Sequence, residues 1–506
     1  MSVSSTAAAS QERLGILVQS GLLAGPFLSM VDSSVINVAI PEIARSFGDP
    51  VGRVQWVVSA YLLAMASGLA ASAYLARRFG TKQVYVVSLV GFTAASIACA
   101  LAPSTSWLVT TRVIQGLFGA PMTPLAMVML MGGEGARQRI SPAAGIVLFL
   151  PPAVGPSLGG LLIAHFGWPS VFVLNAPFGL FGVLGVLKLS PTLVPERDAS
   201  ARFDSVGLVM LAAGLALSTY GASEGPAVGW WSVDAWPFWS AGLVLLLAYA
   251  VRGRLERHPA VDLRLLSERN PAIAIALSVI AALVLFAVLF LIPVFTQDVQ
   301  GLSPAQAGLI LLPQGLAMAF SIALGDVTTR RRSLLRPSVI AGFAILTLTT
   351  GALLLIQAGT PAWETALLLC GRGLALGLII QPLLVATLGE LPQAQLADAN
   401  TLFNIVDRVG GSFGVALIAT FFQASVQSHI EAAFGSSAVS GASLSGLGEA
   451  PAAARASLLN AATAGFHDTV WLLIGLGAIG LLVSLLLTSR DLMPDAAENI
   501  RRSGPG

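Results

Sequence analysis

Long apolar runs of about 20 residues recur along almost the whole chain, and short clusters of Gly, Pro and charged residues separate them. A run of this length crosses the hydrocarbon core of a bilayer as an α-helix. Only 10% of the 506 residues are charged, well below the roughly 25% that is typical of a soluble domain. The sequence therefore predicts an all-α polytopic membrane protein.

Hydropathy read in a window of about 19 residues predicts fourteen membrane spans. Their centres lie near residues 25, 65, 93, 120, 152, 179, 215, 244, 283, 316, 347, 376, 413 and 478. An even number of spans places both termini on the same side of the membrane. The N-terminal tail lacks the basic region of a cleaved signal peptide, so we expect it to stay in the cytoplasm.

The distribution of Lys and Arg tests this topology independently of hydropathy. When alternate connections are assigned to the cytoplasm, 21 of the 27 Lys and Arg residues fall in cytoplasmic segments and three in outer loops. The remaining three, Arg112, Arg372 and Arg408, lie within spans. This bias predicts a multi-pass protein of the cell (inner) membrane with both termini in the cytoplasm.

Two of the intramembrane arginines indicate an internal repeat. Arg112 opens the stretch "RVIQGLFGAPMTP" in span four, and Arg372 opens "RGLALGLIIQP" in span twelve, which predicts that the two occupy matching places. The next spans each concentrate glycine, in "PPAVGPSLGG" and "DRVGGSFGVA". The repeat predicts two six-helix bundles, spans one to six and nine to fourteen, with spans seven and eight as an inserted pair.

The predicted domains follow from this repeat. They are a cytoplasmic tail (1–13), a six-helix bundle (14–190), a cytoplasmic linker (191–204), the inserted pair (205–252), a second linker (253–270), a second six-helix bundle (271–490) and a cytoplasmic tail (491–506). The second bundle contains a segment rich in Ala, Ser and Gly, residues 426–468. We expect this segment to be a mobile external loop, which could include a short interfacial helix, in preference to a substrate lid.

Three motifs give the chain a resemblance to a known family. The stretches "VDSSVINVAIPEI", "TRVIQGLFGAP" and "LPPAVGPSLGGLLIAHFGWPSVFVLNAPFG" resemble signatures of the fourteen-helix drug:proton antiporter branch of the major facilitator superfamily. The resemblance covers essentially the whole chain. It implies the major facilitator fold and a multidrug efflux transporter that exports amphiphilic compounds in exchange for protons.

Two other functions remain open beside this expectation. The first is a dedicated exporter of one metabolite, such as an antibiotic made by the same cell. The second is a membrane sensor or scaffold that uses the same fold without transport, because fold alone does not determine function.

The connection between spans two and three departs from the family pattern. In "ASAYLARRFGTKQV", Ala73 stands where the family has Gly, and Arg77 stands where it has Asp. The resemblance implies that this acid helps to latch the two halves together on the cytoplasmic side. Arg78 and Gly80 remain in place, so we expect the turn to persist while the gate is held by other contacts.

Asp32 lies inside the first span, where a carboxylate is costly unless it is hydrated, paired or protonated. A carboxyl group in a partly desolvated cavity suits a proton-driven exporter, because lost hydration favours the neutral form and renewed contact with water favours the ionised form. We therefore predict that Asp32 couples transport to protons. The competing interpretation is a hydrogen bond to a kinked helix end near Pro41.

Arg112 cannot lose its charge, so it needs water, carbonyl groups or a carboxylate around it. It is either the electrostatic counterpart of Asp32 or a residue that holds helix ends. We expect both side chains to line the central cavity. Gln115, one turn further on, could steady Arg112 or contact substrate.

Further polar residues within spans are candidates for the cavity or for coupling. Asn37, Arg372 and Asn404 are predicted to be polar cavity residues. Asp407 is a candidate second proton site, but an anchoring cluster formed by Asn404, Asp407 and Arg408 at the cytoplasmic end of span thirteen is the favoured interpretation.

Span five carries the motif "GPSLGG". Gly155 and Gly159 are one helical turn apart, which allows a neighbouring helix to approach closely, and Pro156 bends the helix. Together with Gly160 they predict a tight hinge at the interface of the two halves. Simple helix packing is the competing interpretation.

Large apolar side chains could line a polyspecific substrate cavity, although core packing is the more common role of each. The candidates are Trp56, Tyr61, Met122 and Phe149.

The sequence does not indicate an enzyme. The glycine clusters lack the ending of a nucleotide-binding loop, and the four His residues (His165, His258, His429 and His467) have no metal-ligand spacing. Cys99 and Cys370 are expected to be small buried hydrophobes. We expect no cofactor, no metal and no nucleic acid; the expected partners are an amphiphilic small molecule, protons and the lipid bilayer. We expect a functional monomer, and the need for a periplasmic adaptor stays open.

Overall fold

The structure, a computed structural model, describes residues 16–131, 142–189, 204–256, 259–261, 263–267, 269–329, 334–388, 396–434 and 452–488. These residues form helices and short connections, and none of them is in a β-strand. The α-helices, in chain order, are α1 (Ile16–Phe47), α2 (Val51–Val54), α3 (Trp56–Phe79), α4 (Thr81–Ala100), α5 (Thr105–Gly119), α6 (Met122–Met131), α7 (Pro142–Phe166), α8 (Ser170–Val173), α9 (Asn175–Leu187), α10 (Ser205–Val228), α11 (Trp236–Leu255), α12 (Arg269–Val294), α13 (Pro304–Thr329), α14 (Leu335–Ala352), α15 (Ala362–Leu388), α16 (Leu396–Phe434) and α17 (Ala452–Ser484). A π-helical turn, Phe295–Val299, extends α12.

Thirteen segments of the described chain are long and apolar enough to cross a membrane. Helix α7, 25 residues long and apolar over Val154–Phe166, completes the series of fourteen. Three of the spans consist of two helices in succession: α2 with α3, α5 with α6, and α8 with α9. The predicted fold class, a polytopic all-α membrane protein, is confirmed.

The same helix pairs pack together in the two halves of the chain. Helix α1 packs against α7 and α9, just as α12 packs against α16 and α17. Likewise α4 packs against α5 and α9, and α14 packs against α15 and α17. Helices α1–α9 therefore form one six-span bundle and α12–α17 a second copy of it.

Close contacts at glycine give the register of this repeat. Gly116 of α5 packs on the backbone carbonyl of Tyr61 in α3, and Gly373 of α15 packs in the same way on the carbonyl of Gln314 in α13. Glycine permits such contacts because no Cβ separates the two backbones. Gly116 therefore corresponds to Gly373.

This register corrects the predicted match between Arg112 and Arg372. Counting back from the paired glycines, Gln115 corresponds to Arg372 and Arg112 corresponds to Leu369. The predicted match is wrong by one helical turn. The error arises because two arginines can lie on the same face of equivalent helices at different depths in the membrane. Contacts between helices, which the sequence does not show, set that depth.

The two bundles meet along three helix pairs: α3 with α16, α7 with α13, and α1 with α12. Because the number of spans is even, both described chain ends lie at one end of the molecule, called here the terminal face. The opposite end, at Gly48 between α1 and α2, is called the distal face. The α10–α11 pair lies beside both bundles, and α10 contacts α3 of the first and α16 of the second.

Hydrogen bonds join the bundles towards the distal face. The Ser59 and Ser412 hydroxyls each donate to the other residue's carbonyl, at 3.2 and 3.0 Å. Gln297 of the π-helical turn donates from Nε2 to the Val38 carbonyl of α1 at 3.0 Å. The distal side is therefore closed by direct contacts between the halves.

The predicted external loop, residues 426–468, is too long at both ends. Helix α16 continues to Phe434 and α17 begins at Ala452, because the Ala-rich sequence at the start of α17 has a high intrinsic helix propensity. The rest of this segment, the two predicted tails and nearly all of the first linker lie outside the described residues.

Candidate functional site

The position of α1 in the first bundle depends on proline. Pro26 has no N–H group, so the carbonyl of Leu22 one turn earlier is free of its usual helical partner. The Tyr85 hydroxyl of α4 donates to that carbonyl at 2.7 Å. This bond ties α1 to α4 ten residues before Asp32.

Asp32 forms an ion pair with Arg112 in the interior of the first bundle. Arg112 donates from Nη1 to Asp32 Oδ2, and the exposed fractions of the two residues are 4% for Asp32 and 0% for Arg112. Each charge compensates the other, and the loss of either one would leave an uncompensated charge inside the membrane. The pair joins α1 to α5.

The second carboxylate oxygen of Asp32 accepts two further hydrogen bonds. Gln115 donates from Nε2 at 3.1 Å, and Asn175 of α9 donates from Nδ2 at 2.9 Å. Asn175 also donates to the Ser96 hydroxyl of α4 at 2.8 Å. Arg112 and Gln115 can reach the same group because residues three apart share one helix face. The carboxylate thus connects α1, α5 and α9.

Arg112 has partners that do not depend on Asp32. Its Nε donates to the carbonyl of Val57 at 2.9 Å, and its guanidinium carbon lies 3.9 Å from the ring centre of Tyr61 and 5.6 Å from that of Phe172. Aromatic faces attract cations, most strongly where water is excluded. Nη2 has no hydrogen-bond partner in the described part of the chain.

The ion pair between Asp32 and Arg112 answers two questions that the sequence left open. They are whether Arg112 is the electrostatic counterpart of Asp32, and whether Asp32 bonds to the helix end near Pro41. Asp32 is held by side chains of other helices and not by the helix end near Pro41, so that competing interpretation is wrong. Gln115 steadies Arg112 by accepting from Nη1 at 2.7 Å. The expected cavity-lining role of Asp32 and Arg112 stays a prediction, because both are buried within the first bundle in this conformation.

Sequence reasoning missed two members of this network, Asn175 and Ser96. Asn175 begins the stretch "NAPFG", which served only to support the family resemblance. Ser96 gave no signal, because hydroxyl residues are common throughout these spans. Cys99 is buried as expected, and its Sγ lies 3.2 Å from the Thr111 hydroxyl beside the network.

The glycine motif of α7 makes close contacts on one face within the first bundle. Gly155 packs against Ser34, and a Cβ added at Gly159 would lie 2.6 Å from Cγ1 of Val35. Both partners belong to α1. The predicted tight seam is therefore present, but these two glycines contact a helix of their own bundle and not the interface of the halves.

The next glycine of the motif, Gly160, lies at the interface between the two bundles. Gly160 packs on the backbone of Pro304 at the start of α13, and Gly308 of α13 packs on the Pro156 carbonyl. Ser157 donates to the Gly308 carbonyl at 3.0 Å. Helix α7 therefore presents small residues to both bundles, on two different faces.

Three of the four predicted cavity-lining residues are used in helix packing. Met122 and Tyr61 are fully buried in the first bundle. Trp56 packs against Tyr220 of α10, with ring centres 6.1 Å apart. The physical reason is that large apolar side chains fill the gaps between tilted helices. The side chain of Phe149 lies outside the described residues.

Two predicted polar cavity residues form hydrogen bonds inside the bundles, one within its own helix and one to neighbouring helices. Asn37 is buried and donates from Nδ2 to the carbonyl of Ser33 at 3.2 Å in its own helix. Arg372 is fully buried in the second bundle, where it donates to the hydroxyl of Thr350 and to the carbonyl of Val284.

The polar cluster of span thirteen lies at the contact between the bundles. Arg408 is buried, and its Nη2 is 3.8 Å from the Met30 sulfur of α1. Asp407 and Asn404 are half-buried. The choice between an anchoring cluster and a second proton site stays open.

The turn between α3 and α4 persists without the family acid. Gly80 has a φ of 97°, a conformation that a residue with a Cβ rarely adopts. Arg77 and Ala73 are exposed, and Arg78 is half-buried.

Histidines in the described residues have other partners. His429 Nε2 lies 2.8 Å from Asp468 Oδ2, His467 contacts the Ile356 carbonyl and His165 the Leu161 carbonyl; His258 lies outside the described residues. Within those residues, no group of three or more potential ligands could hold a metal ion.

Two repeated six-span bundles, with a charged network held inside the membrane, are the architecture of a membrane transporter. The chain belongs to the Major Facilitator Superfamily, which it matches over residues 22–415, and this family makes the protein a transporter and not an enzyme.

Similar proteins agree with this assignment. The chain is 32% identical over 416 residues to a multidrug resistance protein B homolog of Mycobacterium tuberculosis, covering 80% of this chain and 76% of the relative. It is 29% identical to the tetracenomycin C resistance and export protein of Streptomyces glaucescens, covering 78% and 73%. A crystal structure of a D-xylose–proton symporter shares the fold, with a TM-score of 0.61 at 15% identity over 93% of this chain and 97% of that one. The protein is thus similar to drug efflux transporters.

Proposed function

We propose that the protein is a proton-coupled exporter of amphiphilic small molecules, working in the cell membrane with both termini in the cytoplasm. Asp32 carries the exchanged proton. The observation that supports this most directly is a buried carboxylate held by an arginine and two amides from neighbouring helices. Intramembrane acids are rare and usually functional.

The partners of Arg112 allow Asp32 to change its protonation state. When Asp32 gains a proton, the ion pair is lost, and Arg112 keeps its bond to the Val57 carbonyl and its contact with Tyr61. The guanidinium is therefore not left without stabilising contacts. The attraction that joins α1 to α5 weakens, so α1 can shift slightly against α5 while its close contacts with α7 keep it in the bundle.

The same helices carry the contacts that close the distal side. Val57 and Ser59 are two residues apart on α3, and Ser59 bonds to Ser412 of the second bundle. On α1, Val38 accepts from Gln297 six residues after Asp32, about 9 Å along the helix. A change at Asp32 can therefore reach both contacts through short lengths of rigid helix.

A dedicated exporter of one compound is the second candidate. The similarity to the tetracenomycin C resistance and export protein favours it. Both candidates require the same coupling by Asp32 and differ in the range of compounds exported. A transport screen with chemically diverse amphiphiles separates them.

The test of coupling is export driven by a pH gradient in proteoliposomes. Asn at position 32 has nearly the same size, cannot titrate and keeps one of the two acceptor oxygens, so Asp32→Asn, with folding checked in parallel, should bind neutral substrates and lose export against a concentration gradient. Asp49→Asn is the matched control, because Asp49 pairs with the exposed Arg53 in the distal connection. Uphill export by Asp32→Asn at the rate of this control would refute the proposal.

A further inference from the structure

The second bundle contains a buried charge that has no counter-ion in the described chain. Arg372 is fully buried, and its partners are the Thr350 hydroxyl and the Val284 carbonyl, both neutral. Its Nε has no hydrogen-bond partner among the residues that the structure describes. No acidic side chain of the described residues forms an ion pair with it, in contrast to Arg112. An unpaired charge inside a membrane protein is strongly unfavourable.

The internal repeat shows what stands in place of Asp32 in the second bundle. Gly159 packs on the backbone of Val35, and its counterpart Gly414 packs on that of Leu283. The same offset assigns Asp32 to Ile280. An aliphatic side chain therefore occupies the position of the carboxylate.

The other members of the network are also replaced by apolar residues. Helix α17 is the counterpart of α9, and Gly477 corresponds to Gly179, so Leu473 corresponds to Asn175. The register given above pairs Leu369 with Arg112. Only Arg372 and Thr350, the counterparts of Gln115 and Ser96, keep polar groups. The second bundle thus retains the donor side of the network without its anion.

We propose that Arg372 binds a small inorganic monovalent anion, such as chloride, which takes the electrostatic role that Asp32 has in the first bundle. Arg372 lies ten residues, about 15 Å, from the distal end of α15. Thr365, two turns nearer that end on the same helix face, is buried, and its hydroxyl has no hydrogen-bond partner in the described part of the chain. The Thr365 hydroxyl is a hydrogen-bond donor that an anion would pass between the distal face and Arg372.

The test measures the thermal stability of the full-length protein in a nonionic detergent, with chloride replaced by gluconate at constant pH and ionic strength. A ligand that binds the folded state raises the melting temperature with its concentration. We expect a rise of about 2 °C between roughly 1 and 100 mM chloride, the size expected for a 506-residue chain. An equal melting temperature in chloride and gluconate would overturn the proposal, and would point to a carboxylate of the chain outside the described residues.

A variant that supplies the anion from the chain gives the sharper test. In the first bundle Gln115 contacts Asp32, so by the repeat an Asp at position 280 faces Arg372. Ile280→Asp should melt in gluconate as the wild type melts in chloride and should no longer respond to chloride. Ile280→Asn, similar in size and polarity but uncharged, should keep the response. Equal responses of the two variants would contradict the assignment.

A third variant covers the case in which a charge at position 280 prevents folding. Arg372→Met removes the cation and should remove the chloride response. A full response in Arg372→Met would place the anion elsewhere and overturn the proposal.

Discussion

At the scale of single residues, the shape of arginine explains why this side chain partners Asp32. The guanidinium of Arg112 presents donors in one plane, and these reach the Val57 carbonyl, Asp32 and Gln115 at the same time. Its central carbon lies over the ring of Tyr61, 3.9 Å from the ring centre. A lysine ammonium has three donors at a single point and no flat face.

Arg112→Lys should therefore fold and insert but transport poorly. We expect uphill export to fall at least about tenfold and stability to fall by about 2 kcal/mol, because a buried charge keeps only part of its compensation. Initial export rates and thermal unfolding in detergent measure the two effects. Arg53→Lys, at an exposed site in the distal connection, serves as the control and should export normally. Wild-type export by Arg112→Lys would show that the planar contacts are not needed.

Two members of the network, Asp32 and Arg112, could be predicted from the sequence because of their charge. Asp32 and Arg112 are charges in apolar runs, and such charges are conspicuous because the membrane makes them costly. Asn175 and Ser96 are neutral, and nothing in their local sequence tells which helix they face. Their roles depend on the packing of α4 and α9 around α1.

At the scale of helices, α7 separates two tasks on two faces. Gly155 and Gly159 hold α7 against α1 within the first bundle, and Gly160 allows α13 of the second bundle to approach. The first contact maintains the bundle. The second belongs to the closed distal side and has to change when the halves move.

Gly160→Val should open the distal side. A Cβ at this position would lie 2.9 Å from Cα of Ala305, so the halves cannot close fully. The reporter is Gln427→Cys, in the pocket between the bundles at the distal face, with Cys99 and Cys370 replaced by Ala. We expect a membrane-impermeant maleimide to label this cysteine about tenfold faster than in the parent, for a shift of about 1.4 kcal/mol between states.

The control for this experiment is Gly475→Val on α17, where a Cβ would meet no atom of the described residues within 4 Å. It should label like the parent protein. Unchanged labelling in Gly160→Val would mean that this contact does not hold the distal side closed.

The repeat between helices was predictable, but its register was not. Hydropathy and glycine-rich segments indicated which spans correspond. Pairing the two arginines then shifted the match by one turn, because only the contacts of Gly116 and Gly373 reveal depth. The ends of α16 and α17 were likewise missed, since an Ala-rich segment reads as a loop when its neighbours are unknown.

At the scale of the whole molecule, hydropathy and the Lys/Arg bias were sufficient for the number of spans, because both reflect transfer between water and lipid. They could not indicate which side is closed, since one sequence populates several arrangements of the two bundles. Nor did they place α10 across the seam, where it packs on α3 and α16. In this conformation, contacts such as Ser59 with Ser412 close the distal side.

The central claim is that Asp32 carries the proton that is exchanged for substrate. The most direct measurement is proton release on substrate binding, in weakly buffered detergent solution with a pH indicator. The probe is a fluorescent amphiphilic cation such as ethidium, at concentrations that saturate both proteins. Linkage predicts release of about one proton per bound molecule by the wild type and none by Asp32→Asn. Equal proton release by the two proteins at saturation would contradict the account.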